Sequence, residues 1–341
     1  MSSGGRRRFL RTCQGLLRTK IERTEFPGGK SRDACRLILE DGRVAYGTRR
    51  DSPRLATLEA RVLKKLKAEG ASVPGVLAFN GLILIQENLG ELRLSQAIDR
   101  ASVAEVQEML SGALKSLAVV HRAGEAAGLD DNVPSIGKDM PWLLGLLNQP
   151  AVVAEELDLK QPALDLDALL EVVRVRRPRL IKWDARCGNA ILKDDGTVAW
   201  FDWEHCGRRN RLDDLVWLLG DEYTPDLPEI EASLLQEHLP AFADDLSVDE
   251  ARAYLGAFGS LHTCVRLVLI LENKDGDDWW DWNYCLERDK VGVTLKGAKR
   301  LCARGARWAA WNHLTEPLVT WFDEVAQRLA KLDGYEKRGA A

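Results

Sequence analysis

The stretch that most constrains this chain runs from Lys182 to Glu204 and reads K-W-D-A-R-C-G-N-A-I-L-K-D-D-G-T-V-A-W-F-D-W-E. An apolar approach, Leu180-Ile181, leads into a loop that carries Asp184 and, five residues later, Asn189. Two short apolar runs follow, Ala190-Ile191-Leu192 and Val198-Ala199-Trp200-Phe201. Between them lies Asp194-Asp195-Gly196-Thr197, a turn sequence whose glycine accepts a positive φ without steric cost. The pattern predicts a β-hairpin. A hairpin returns the chain to its start, so Asn189 before the first strand and Asp202 after the second are expected side by side.

An amide and a carboxylate brought together beside a second, loop-borne carboxylate suit a hard, oxygen-seeking cation. Mg²⁺ is commonly held by one or two protein ligands, with water and phosphate completing the shell. Asp184 need not touch the metal; it can stand across from it and accept a proton from an attacking hydroxyl. That is the division of labour in phosphoryl transfer.

These residues resemble the aminoglycoside phosphotransferase and choline kinase group, small-molecule kinases related in fold to protein kinases. The group's pattern is roughly H-G-D-x-x-x-x-N followed, after a hairpin, by I-D-W-E. Residues 180–220 carry it, including Leu212-Asp213-Asp214-Leu215, which is similar to the group's D-L-A helix start. The resemblance implies an α+β, two-lobed protein-kinase-like fold, with a small β-rich lobe over residues 1–88 and a larger, mainly helical lobe over 89–341. It implies transfer of the γ-phosphate of ATP, with Mg²⁺, to a hydroxyl of a small molecule. Asp184 would be the catalytic base, and Asn189 and Asp202 the metal ligands. Arg186, two residues after the base, would stabilise the transferred phosphoryl group; the alternative is a surface arginine in an acidic neighbourhood. Asp214 reads as a structural brace for the loop, and Glu204 as a secondary metal or loop contact.

The chain departs from the pattern at Lys182-Trp183, which replaces His-Gly. The histidine there is mainly architectural, so its loss removes no catalytic function. Lys182 adds positive potential and should depress the Asp184 pKa.

Upstream, Phe26-Pro27-Gly28-Gly29-Lys30-Ser31 invites a P-loop reading that fails on spacing, because Thr24 stands where the first glycine belongs. Gly28, Gly29 and Ser31 read better as a β-turn over nucleotide phosphates. Ala34 to Glu40 and Arg43 to Thr48 are predicted strands joined at Asp41-Gly42. The resembling group ends the second of these strands with lysine; here Arg49 or the adjacent Arg50 stands in its place, and Arg49 is taken as the phosphate contact. Arginine grips phosphate oxygens bidentately, so ATP binding survives the exchange. Leu55 to Ala68 has helical periodicity, and its Glu59 matches the glutamate that pairs with the strand cation in kinase folds, or else is a surface residue. Leu82 to Gln86 is a predicted buried strand. Glu87 opens a segment resembling the hinge that meets the adenine.

Val103 to Ala123 is a predicted amphipathic helix. Residues 130–167 are expected to be irregular, broken by Pro134, Pro141, Pro150 and Pro162. Further helices are expected over Glu229–His238, Val248–Glu272 and Thr294–Asn312. The loop at 273–284 interleaves aspartates with Trp279, Trp280, Trp282 and Tyr284. Two readings stay open: a box for a cationic amino sugar or amino alcohol, or tryptophans packed on helices beneath wet aspartates.

Composition narrows the alternatives. With 341 residues, 45% hydrophobic and 29% charged, the chain has material for a large core. No apolar run approaches a membrane span, and no signal-peptide core follows Arg6-Arg7-Arg8. A net charge of −4 provides no overall attraction to nucleic acid or anionic membrane. The basic helix predicted over Arg6–Arg23 is read as packed on its own lobe, with RNA or lipid contact as the alternative. Seven scattered cysteines without a C-x-x-C pair indicate reduced thiols and a cytoplasmic protein. Two rivals to the small-molecule kinase remain: a nucleotide-binding protein without turnover, and a kinase of protein or RNA. D-W-E in place of D-F-G, with no A-P-E segment, counts against a protein substrate.

Overall fold

Strand alternation builds the smaller lobe. The computed structural model describes residues 3–27, 34–274 and 278–335. Strands β1 (Ile21–Glu25), β2 (Ala34–Leu39), β3 (Val44–Arg49), β4 (Val76–Phe79) and β5 (Ile83–Glu87) form one sheet in the order β1-β2-β3-β5-β4. Every neighbouring pair is antiparallel. Along β2 and β3 every second residue is buried, namely Cys35, Leu37, Leu39, Ala45 and Gly47, as the period-two geometry of a strand requires.

That face closes on helix α1 (Ser3–Leu17) through Phe9 and Cys13. A Cβ on Gly47 would lie 3.1 Å from Leu37 and 3.2 Å from Phe9, so glycine lets the helix sit close to the sheet. Arg7, Arg8 and Arg11 stay exposed on the other face of α1. The basic stripe is therefore the solvated side of a helix packed on its own sheet. Helix α2 (Pro53–Ala68), capped by the Ser52 side chain, buries Leu58, Val62, Leu63 and Leu66 in the core that continues into the larger lobe.

The larger lobe is mainly helical: α3 (Leu94–Arg100), α4 (Val103–Ala126), α5 (Met140–Leu147), α6 (Gln149–Glu156), α7 (Leu166–Val173), α8 (Leu212–Leu219), α9 (Pro228–His238), α10 (Val248–Asn273), α11 (Trp282–Arg288), α12 (Leu295–Ala309) and α13 (Pro317–Tyr335). Capping boxes fix the starts of α4, at Ser102 and Glu105, and of α10, at Ser247 and Glu250. Helices α5 and α6 occupy the stretch expected to be irregular. Pro141 and Pro150 lie in their first turns, where a missing N–H costs nothing, so these prolines start helices rather than break them. Helix α10 alone among the described residues is long and apolar enough to cross a membrane, yet 83% of its most apolar window is buried in the protein.

Four short strands carry the loops of interest. β6 (Arg179–Ile181) pairs with β9 (Gly207–Arg209), and β7 (Ala190–Leu192) with β8 (Val198–Trp200), both antiparallel. All seven cysteines are free and buried.

Candidate active site

The predicted β7–β8 hairpin forms, with Ala190 opposite Trp200. The Phe201 N–H donates to the Asn189 carbonyl at 3.1 Å, so Asn189 and Asp202 flank the mouth of the hairpin. The loop before it is held from beneath by Asp214 in the first turn of α8. Its fully buried carboxylate accepts from the main-chain N–H of Lys182 at 2.7 Å and of Trp183 at 2.8 Å. His121 Nε2 lies 2.9 Å from the same carboxylate. Replacing Asp214 with alanine orphans two buried N–H groups and is expected to cost roughly 2–6 kcal/mol, read from the urea midpoint; a loss under about 1 kcal/mol would sink the bracing role.

Three carboxylate-loop residues hold left-handed backbone: Trp183 at φ 55°, Asp184 at 51° and Asp202 at 61°. Lys182 is fully buried, and its Nζ donates to the carbonyls of Asp184 (3.2 Å) and Asp202 (3.1 Å). The residue standing in the histidine's place thus bolts the two acidic loops together. Burial lowers its pKa, against the pull of the Asp184, Asp202 and Asp214 carboxylates.

Asp184 is half-buried and immobilised at both oxygens. Oδ1 accepts from Arg186 Nε at 2.8 Å and Oδ2 from Asn189 Nδ2 at 2.7 Å. Burial pushes its carboxyl up, but Arg186 and Lys182 outweigh it and hold the pKa below the ordinary value. Asn189 also donates from Nδ2 to the Asp184 carbonyl at 3.0 Å. With its nitrogen committed there, its amide oxygen is left to meet a cation.

The strand cation is Arg50, not Arg49. Tyr46, Thr48 and Arg50 share one face of β3 and its extension and line the cleft between the lobes, whereas Arg49 falls on the opposite face and is exposed. The expectation for Arg49 fails on strand parity. Arg50 grips Glu59 with Nε and Nη2, both at 2.8 Å. It reaches across to Asp202 Oδ1 at 2.7 Å and Glu204 Oε1 at 2.9 Å. Glu59 is fully buried and also accepts from the Trp203 N–H at 3.2 Å. Burial works against the charge on Arg50, but Glu59, Asp202 and Glu204 overcome it and raise its pKa.

Glu87 lines the cleft at the end of β5, with its carboxylate turned to Lys67 (2.8 Å) and to the Gly75 N–H (2.9 Å). Gly28, Gly29 and Ser31 lie outside the described residues; Pro27 and Ala34, on either side of that segment, border the same cleft. Among the described residues no cluster of three or more His, Cys, Asp or Glu side chains could hold a metal. The donor set that fits a divalent cation is the Asp202 carboxylate with the Asn189 amide oxygen, which suits Mg²⁺ retaining water and phosphate ligands.

Residues 22–261 match the profile of the phosphotransferase enzyme family (APH). The chain belongs to that family. Three solved structures share its fold at low identity. The amicoumacin kinase hAmiN, in complex with AMP-PNP, Ca²⁺ and Ami, is 15% identical over 86% of this chain and 98% of that one, with a TM-score of 0.57. The ADP-bound aminoglycoside phosphotransferase APH(2'')-Ib is 12% identical over 87% and 99%, at 0.53. The macrolide 2'-phosphotransferase MphH from Brachybacterium faecium, an apoenzyme, is 15% identical over 86% and 96%, at 0.52. No curated protein sequence matches the chain.

Two further residues of this phosphotransferase complete the site without a local sequence signal. Arg93, just before α3, donates to the Gly188 carbonyl at 2.7 Å and pairs with Asp289 at 2.8 Å. Asp289, which caps α11 in the left-handed region, also lies 3.9 Å from Arg186. All three contacts join segments remote in sequence, so neither spacing nor periodicity could reveal them. In the aromatic loop the protein's own cations already lie against several of the rings. Lys296 lies 3.9 Å and Arg300 5.0 Å from the Trp282 ring centroid, Lys274 covers Trp279 at 5.2 Å, and Arg288 covers Tyr284 at 4.5 Å. The protein's own cations occupy these faces, and Asp281 is spent capping α11. Asp275 and Asp277 lie outside the described residues.

Proposed function

We propose that this phosphotransferase moves the γ-phosphate of ATP to a hydroxyl of a small molecule, with Asp184 accepting the hydroxyl proton. The observation that carries the reading is the Lys182 bridge. It ties the carbonyls of Asp184 and Asp202 together and so supports a reading in which the one would accept a proton and the other hold a cation within one frame. Arg186 and Asn189 fix the orientation of the Asp184 carboxylate, and positioning matters more than basicity when the transition state is loose. Asp202 and the Asn189 oxygen would hold Mg²⁺, which when bound supplies charge neutralisation for the phosphates. Arg186 stands next to Asp184 and would face the transferred group.

A second reading, nucleotide binding without turnover, draws support from Arg50, whose guanidinium holds the carboxylate oxygen that a metal would seek. Incubation with Mg-ATP and a metabolite extract, followed by mass spectrometry, separates the two. A new phosphorylated species formed by the wild type and absent with Asp184→Asn supports transfer. Tight Mg-ATP binding with no product supports the second reading.

The metal assignment has its own test. In Asp202→Asn the Mg²⁺-dependent gain in ATP affinity should disappear, as read by titration calorimetry with and without Mg²⁺. If the Mg²⁺ effect persists at full size, Asp202 is not the ligand.

A further inference from the structure

The cleft between the lobes has two unlike ends. Arg50 and Asp202 make one end charged, and charge suits phosphates and a cation. At the other end Pro74, Leu89 and Ile191 line the cleft around the connection between the lobes. The Glu87 N–H donates to the Gly75 carbonyl at 2.9 Å. Gly90 runs so close to β7 that a Cβ on it would lie 3.0 Å from Ile191. Apolar walls of this kind suit an aromatic base.

Gln86 is the last buried residue of β5 before that connection. It pairs across the sheet with Tyr46, so the two side chains share a face, and both line the cleft. The sense of its amide is fixed from behind. Gln86 Nε2 donates to Glu59 Oε1 at 3.3 Å. Glu59 is a fully buried carboxylate paired with Arg50, so it only accepts, and turning the amide over would set oxygen against oxygen. The nitrogen therefore faces Glu59. The oxygen, to which no described group donates, is an acceptor on a side chain in the cleft wall.

Neighbouring polar groups do not share that property. The carboxylates of Glu87 and Glu91 are paired with Lys67 and Arg36, and the hydroxyls of Tyr46 and Thr48 can donate or accept.

We propose that Gln86 selects the base of the nucleotide, its oxygen accepting from an exocyclic amine, so that a 6-aminopurine is taken and a 6-oxopurine refused. The amine of adenine donates to Gln86 Oε1, whereas the carbonyl oxygen of guanine or hypoxanthine sets acceptor against acceptor at the same place. Glu59 makes the choice stiff, because the amide cannot flip without losing its own bond. This inference rests on the nucleotide-binding part of the reading above and holds whether or not transfer follows.

The test is titration calorimetry of the full chain with three Mg²⁺-nucleotides: ATP, inosine triphosphate, and purine riboside triphosphate, which carries no group at position 6. ATP is expected to bind roughly tenfold or more tighter than either of the others. Gln86→Leu is of similar size and has no acceptor. In it ATP should lose most of its advantage over purine riboside triphosphate, whose own affinity should stay within about threefold of the wild-type value. Glu59 keeps Arg50 and the Trp203 N–H, so the variant should fold, as its Tm would show. Where it does not, the wild-type comparison decides. Equal wild-type affinity for ATP and either analogue overturns the inference, as does an undiminished preference for ATP in folded Gln86→Leu. If none of the three binds, the nucleotide reading of the cleft falls, and this inference with it.

Discussion

Asp184→Asn should lower phosphate transfer by about 10²–10⁴-fold, the usual worth of a positioned general base, while leaving Mg-ATP affinity within about twofold. The side chain is held at both oxygens, by Arg186 and Asn189, and an amide of the same shape retains part of that net. The fold should therefore persist and the loss should fall on kcat. Single-turnover kinetics beside a nucleotide titration would show the split. Transfer at the wild-type rate would remove Asp184 from the chemistry, and an equal loss in nucleotide affinity would recast it as a binding residue. The sign of its pKa shift also matters. Because the folded-state pKa is depressed, the carboxylate stays ionised through the neutral and mildly acidic range. Its contribution to stability is present above the unfolded pKa and is lost only as pH falls through the lower folded value.

Arg50→Met should be the most damaging change in the smaller lobe. It leaves Glu59 as a fully buried carboxylate and strips Asp202 and Glu204 of their shared partner. Removing one member of a buried charge pair typically costs about 3–5 kcal/mol, and urea unfolding at constant slope would read it. Arg49→Ala, one residue away and exposed, should move stability by less than about 0.5 kcal/mol. Equal effects at the two positions would mean that strand parity has been assigned to the wrong arginine.

The contrast between these neighbours shows what a sequence can convey. The D-x-x-x-x-N loop, the hairpin after it and the return to Asp202 were legible because each rests on local chemistry: turn residues, a two-residue period and short spacing. The core helices were legible for the same reason. Arg49 and Arg50 could not be separated, because both faces of β3 carry small or apolar residues and the cleft side depends on what packs against the other. Pro141 and Pro150 misled because a proline in a helix's first turn looks, in one dimension, like one that breaks it. Lys182 lowers the Asp184 pKa through its charge, as expected, but it also joins two carbonyls that only the fold brings together. Arg93 and Asp289 lie too far from the motif for any window to associate them with it. The tryptophan-rich loop was ambiguous for a similar reason, since most of the cations that cover it come from α12 and the end of α11.

The burial of all seven thiols has a practical side. Burial pushes Cys13, Cys35, Cys206 and Cys302 up to about 12, so near neutral pH these side chains offer almost no thiolate to an alkylating dye. The native chain is thus close to a blank background for maleimide labelling. Cysteines introduced at exposed Asp41, in the turn of the smaller lobe, and at exposed Glu316, between α12 and α13 of the larger one, would carry a fluorophore pair without first deleting any natural cysteine. Whether nucleotide changes the distance between the two lobes can then be read by energy transfer in the otherwise unaltered protein.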